Sequence, residues 1–217
     1  MSFLLLLLTG CASTPGKRAS SGISTIDVPP VAHPQGETPA WWYRSGAARA
    51  AGNGAMDGRA KNVILFLGDG MSLTTVAAAR ILEGQRKGNP GEENVLSWEQ
   101  FPHTALSKTY NTDSQTPDSA GTMTAIATGV KTHMGAIGVA AGRKDDCTAS
   151  LKQPLLSWLQ LADSAGLATG IVTTARLTHA TPASTYAHSP NRNWENDADV
   201  PAEAAALGCK DIAQQLI

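Results

Sequence analysis

The sequence predicts an α/β fold in which a central, largely parallel sheet carries helices on both faces. Three observations predict it. Residues 62–67 (NVILFL) form a continuous run of β-branched and large apolar side chains, the pattern of a strand buried on both faces, and the run ends in Gly68-Asp69-Gly70. A second strongly apolar run occupies residues 168–174 (ATGIVTT). Between the two, the apolar spacing lengthens to helical, with Ser, Asp, Pro and Gly placed as start and stop signals. Strand, glycine turn and helix make the opening unit of an α/β layer. With 42% hydrophobic residues in 217, the chain can bury one sizeable core.

The elements follow in order. Thr38-Pro39 starts a helix over residues 39–51 that carries Trp41, Trp42 and Tyr43, and residues 53–61 read as turn. Ser72 caps a helix over 73–82 with Val76, Ala79, Ile81 and Leu82 facing inward and Gly84 ending it. Residues 104–110 read as a further strand. Residues 119–128 form a helix of small side chains ended by Gly129. Residues 154–165 make an amphipathic helix with Pro154 at its start and Gly166 after its end. Helices over 201–207 and 211–217 follow, and the chain stops at Ile217 inside the last, so the fold is expected to be truncated at its C-terminal end.

The N-terminus carries a different signal. Residues 3–8 are apolar but too few to span a bilayer, which suits the core of an export signal. Thr9-Gly10-Cys11-Ala12-Ser13 follows and resembles a lipoprotein signal, cleaved before Cys11 with lipid on its sulfur. The alternative is an apolar strand with an incidental cysteine. Residues 12–40, rich in Ser, Thr, Pro and Gly, read as a tether, and 41–217 as the folded part. An exported, lipid-anchored protein of the periplasm or cell envelope is the expectation. In an oxidising compartment the remaining Cys147 and Cys209 either pair or stay as two buried thiols. The net charge of −1, from 17 basic and 18 acidic residues, offers no basic excess of the kind a nucleic-acid surface needs, and no nucleic-acid partner is expected.

In an open parallel sheet, ligands gather at the carboxyl ends of the strands. Asp69 stands there, between two glycines, as a candidate ligand for a hard cation. Asp118-Ser119 opens a helix, where unpaired N–H groups and the dipole favour a phosphate; a hydroxyl there could serve as nucleophile, or either residue could simply cap. His179 and Thr181 follow the run 168–174, and Arg192 lies in the polar loop NRNW, where its fork could grip two phosphate oxygens.

Taken in order, GDGM (68–71), PDSA (117–120), HATPASTYAH (179–188), NRNW (191–194) and DADVP (197–201) resemble the alkaline phosphatase family. The similarity runs from about Trp41 to Ile217 and includes FPHTALSKTYN (101–111) and GVKT (129–132). Residues 168–217 are similar to the animal-type enzymes, and 118–132 to bacterial ones. The resemblance implies metal-dependent hydrolysis of phosphate monoesters through a phosphoserine on Ser119. Arg192 would hold the phosphoryl oxygens and Asp118 would orient Arg192. Two Zn2+ and one Mg2+ are implied, with Asp69 bridging a zinc and the magnesium, Ser119 on a zinc, and Thr181 with nearby His179 at the magnesium. It further implies a Cys147–Cys209 disulfide and a homodimer.

The remaining zinc ligands of the family normally lie downstream of the last matched segment. The 217 residues are therefore expected to be the N-terminal portion of a longer enzyme and inactive alone. Two alternatives stand beside that reading: a non-catalytic phosphatase-like lipoprotein, and a phosphodiesterase or sulfatase of the same superfamily.

Overall fold

Side-chain caps set the starts of the longer helices. In a computed structural model, residues 38–54, 60–142, 145–152 and 154–217 are described, and they fall within one unit, His33–Ile217. The expected signal segment 1–11 with Cys11, and the tether up to residue 37, lie outside the described residues. Helix α1 (Pro39–Gly52) begins where expected, with the Thr38 hydroxyl accepting from the Trp41 N–H at 3.2 Å. Its Trp42 packs against Val130, Ala140 and Leu155.

Helix α2 (Leu73–Arg86) starts at the expected cap, the Ser72 hydroxyl accepting from Thr75 N–H at 3.2 Å. It runs through Gly84 rather than ending there. A Cβ on Gly84 would stand 2.6 Å from the Gly91 Cα, so this glycine serves a close backbone crossing and not a helix stop.

Helix α3 (Ser119–Thr128) matches its expected span. Asp118 caps it, and Gly129 ends it in the left-handed region at φ 79°. Its small residues let neighbours approach closely. The buried Thr124 hydroxyl donates to Ala136 C=O at 3.1 Å and accepts from Gly138 N–H at 3.0 Å, pinning the helix to the loop 136–138. Ala120, Ile137, Ala180, Ala183, Ala187 and Ile212 form the apolar cluster beneath it.

Helix α4 (Cys147–Lys152) is joined to residue 209 by a Cys147–Cys209 disulfide with Cα atoms 5.9 Å apart. Helix α5 spans Trp158–Ser164, shorter than the expected 154–165. Ser157 and Gln160 form a capping box that fixes its start, while Pro154 sits in a bridge opposite Val139. Helix α6 (Ala180–Ala183) packs on α3, and α7 (Ala202–Ala206) lies inside its expected range.

The expected helix over 211–217 is replaced by turns. Its backbone donors are taken by another segment: Ile212 N–H goes to Trp194 C=O at 2.8 Å and Ala213 N–H to Glu195 C=O at 3.1 Å. Bonds spent outward cannot close a helical ladder.

The expected sheet is not formed among the described residues. The only β pairings there are isolated bridges, Asn111–Ser114, Ile137–Ser189 and Val139–Pro154. Residues 62–67, 104–110 and 168–174 carry no strand assignment, and Val63, Ile64, Phe66, Leu106 and Val172 are exposed. A helix closes its hydrogen bonds within itself, whereas a strand exists only against a partner. An apolar run therefore states a strand's readiness to pair but not what pairs with it.

Candidate active site

Two polar clusters meet at the first turn of α3. Ser119 is the first helical residue, half-buried, and its hydroxyl donates to Asp69 Oδ1 at 3.0 Å. From the start of α6, Thr181 Oγ1 donates to Asp69 Oδ2 at 2.6 Å. Residues 50 and 112 positions away from Asp69 in sequence thus converge on one carboxylate. The Thr181 hydrogen bond is the main influence holding the Asp69 carboxyl below its ordinary value. Burial opposes it, and the Ser119 bond and the charge of Arg192 add to it.

The second cluster surrounds Asp118. Its Oδ1 accepts from Asn111 Nδ2 at 3.0 Å and from Gly121 N–H at 3.1 Å. Its Oδ2 accepts from Gly135 N–H at 3.1 Å and from Arg192 Nη1 at 3.1 Å. Burial pushes this carboxyl upward. The bonds from Gly121, Arg192 and Asn111, with the Arg192 charge, outweigh that and leave it lowered. Asp118 is therefore both helix cap and guanidinium partner, so the two roles the sequence offers are compatible.

Arg192 is tied at three points. Its backbone N–H donates to Gly135 C=O at 2.8 Å, Nη1 meets Asp118, and Nη2 lies 3.1 Å from His179 Nε2. A guanidinium can only donate, so Nε2 accepts, and in the neutral ring Nδ1 carries the proton. That buried Nδ1 has no hydrogen-bond partner.

The loops carrying His179 and Arg192 are clamped by a group that motif reading missed. Arg176 donates to Glu195 through Nε at 2.8 Å and Nη2 at 2.6 Å, and Thr178 Oγ1 donates to Glu195 at 2.5 Å. The Arg176 hydrogen bond is the largest cause that brings Glu195 down to about 2, against burial and with help from Thr178 and the Arg176 charge. Asn111 and Gly135 were also missed. Both belong to turn-like stretches whose partners are set only by tertiary contact. Trp194, close to Arg192 in sequence, packs with Cys147 and Ala204 in one buried cluster beside the Cys147–Cys209 bridge.

The donor set suits a hard cation in part. Asp69 offers carboxylate oxygens, and Ser119 and Thr181 offer hydroxyls, the chemistry of a magnesium shell. A catalytic zinc takes three protein ligands as a rule. Among the described residues, no group of three or more His, Cys, Asp or Glu could hold a metal ion. These residues fit a share of a magnesium site and not, by themselves, a zinc site.

The family model for alkaline phosphatase matches residues 60–217. The tissue-nonspecific alkaline phosphatase of Gallus gallus is 55% identical over 159 residues, which is 73% of this chain and 31% of that protein. The Homo sapiens isozyme is likewise 55% identical over 159 residues, 73% of this chain and 30% of its own. Among solved structures, the alkaline phosphatase of the Antarctic bacterium TAB5 aligns with a TM-score of 0.52 at 32% identity, covering 71% of this chain and 37% of that one. The Thermus thermophilus alkaline phosphatase gives a TM-score of 0.52 at 30% identity, covering 69% and 28%. The chain thus spans about 30% of the length of the curated relatives it matches. With the Asp69, Asp118–Ser119, Thr181 and Arg192 segments all inside the matched residues, this chain belongs to the alkaline phosphatase family.

Proposed function

We propose that this chain supplies the nucleophile and phosphoryl-binding half of an enzyme that hydrolyses phosphate monoesters through a phosphoserine on Ser119. The observation that carries the reading is the convergence at the first turn of α3. There Ser119 and Thr181 share Asp69, one residue along from the Asp118–Arg192 pair. Arg192, held by Asp118, binds two non-bridging oxygens of the phosphoryl group. The N-terminal amides of α3 add their dipole to that anion. Ser119 Oγ then loses its proton and forms the O–P bond in line as the ester P–O bond breaks, and the leaving oxygen takes up a proton and departs as the alcohol. Water attack on the phosphoserine returns Ser119 and releases phosphate.

Asp69 accepts the Ser119 hydrogen bond, but its lowered proton affinity makes it a poor base for removing that proton. Asp69 and Thr181 would hold Mg2+ with His179 close by, and Asp69 with Ser119 would give part of a Zn2+ site, the family implying a second Zn2+. When bound, the metals supply a lower proton affinity at Ser119 and neutralise developing charge. The reading needs further zinc ligands that the described residues do not offer. These 217 residues alone are expected to be inactive.

For the complete enzyme, the same reading takes residues 62–67, 104–110 and 168–174, which carry no strand assignment here, as strands of a largely parallel sheet, and the protein as a homodimer. It takes Cys11 as lipidated and the protein as exported to the cell envelope, supported by the apolar run before that cysteine. No helix among the described residues is long and apolar enough to cross a membrane.

The test is hydrolysis of p-nitrophenyl phosphate at alkaline pH by the complete gene product with Zn2+ and Mg2+ present. Activity should vanish with EDTA and fall by about 10⁴-fold or more in Ser119→Ala. Undiminished turnover by Ser119→Ala would sink the nucleophile assignment.

A further inference from the structure

Asn111 lies 2% exposed at the edge of the Asp118 cluster, and neither the fold nor the reaction described above accounts for an amide there. Its backbone is pinned on both sides. Asn111 N–H donates to Ser114 C=O at 2.9 Å, and Thr112 N–H donates to Thr132 C=O at 3.0 Å. The side chain is held at one end only: Nδ2 donates to Asp118 Oδ1 at 3.0 Å, while Oδ1 is buried without a partner. The amide cannot sit the other way round, because that would turn its oxygen toward the Asp118 carboxylate. Burying an unpaired acceptor is a cost that filling space does not require, since an apolar side chain would fill it without one.

The helix itself makes room for this contact. A Cβ on Gly121 would stand 2.7 to 2.9 Å from the Asn111 amide atoms, so the first turn of α3 needs glycine for Asn111 to reach Asp118. With Asn111 and Gly121 on Oδ1, and Gly135 and Arg192 on Oδ2, the carboxylate cannot turn about its own axis without breaking bonds at both oxygens. Remove Asn111 and Oδ1 keeps only the cap bond from Gly121.

We infer that Asn111 is a positioning residue for phosphoryl binding: its side-chain amide fixes Asp118, and through Asp118 the angle at which Arg192 meets the phosphoryl oxygens. The inference rests on the reading of Arg192 as the phosphoryl grip.

The test is calorimetric binding of inorganic phosphate to the complete gene product, in buffer holding Zn2+ and Mg2+. The proteins compared are wild type, Asn111→Ala, Asn111→Asp, Arg192→Ala and the Asn111→Ala/Arg192→Ala double variant. Asn111→Ala should weaken binding about tenfold, the scale of one hydrogen bond to a charged group. Asn111→Asp keeps the shape but sets an acceptor against Asp118, so it should weaken binding more than Ala does. In the Arg192→Ala background, Asn111→Ala should change nothing further.

Wild-type affinity in Asn111→Asp would overturn the inference, since a space-filling role survives that change. So would an Asn111→Ala loss of the same size with and without Arg192. Should Asn111→Ala fail to fold, Asn111→Asp decides alone. If wild type binds no phosphate, or Arg192→Ala binds as wild type does, the reading of the site fails and takes the inference with it.

Discussion

The face of α3 and the apolar run 62–67 have similar claims to burial by composition, yet they end in opposite environments. Ala120, Ala183, Ile137 and Ile212 are wholly buried around α3, while Phe66 is 92% exposed. Helix α3 finds its neighbours in α5, α6 and the loop 136–138, each held by short-range caps and turns. The run 62–67 can be buried only by partners that meet it edge to edge and face to face. Hydrophobicity decides that a segment seeks cover; topology decides whether cover is within reach.

Mutations can break that comparison. Ile137→Ala removes a fully buried side chain from the α3 cluster and should destabilise by about 3 kcal/mol, read as a drop in denaturant midpoint at unchanged slope. A cost near zero would mean that the α3 face is no better packed than the exposed run. Replacing Cys147 with Ser opens a loop of sequence separation 62 and should lower stability by about 2 to 4 kcal/mol. The same shift should appear when wild type is reduced, and not when Cys147→Ser is.

A smaller effect concerns pH. Glu195 is depressed from 4.5 to about 2, so its contribution is present above about 4.5 and is lost as pH falls toward 2. Glu195→Gln should flatten the stability profile in that window, as followed by acid titration of the melting temperature. The smallest effect belongs to the run itself. Phe66→Ser should change the stability of this chain by less than about 0.5 kcal/mol. A large loss would show that Phe66 is covered after all.

The same contrast explains what could be read from sequence. Thr38, Ser72, Asp118 and Gly129 were legible because a cap speaks to a backbone three or four residues away. The start of α5 was misplaced: Pro154 was taken as its first residue, whereas Ser157 and Gln160 cap it three residues later. Asp69, Ser119, Thr181 and Arg192 were found through the order of their segments. Their meeting is a tertiary fact. Nothing local could show that Asn111 reaches Asp118 past Gly121, or that residues 212 and 213 give their N–H groups to Trp194 and Glu195.

The Cys147–Cys209 bridge has one further consequence. The covalent loop it closes holds His179, Thr181 and Arg192, while Asp69, Asp118 and Ser119 lie outside it. A protease that cuts once between those cysteines cannot release either piece while the bridge is intact. The severed ends stay at high effective concentration, so the nicked chain can reassemble its Arg192 loop as an intramolecular event. Reduction removes that tether, and the two pieces are then held only by non-covalent contacts such as Thr181 on Asp69 and Arg192 on Asp118.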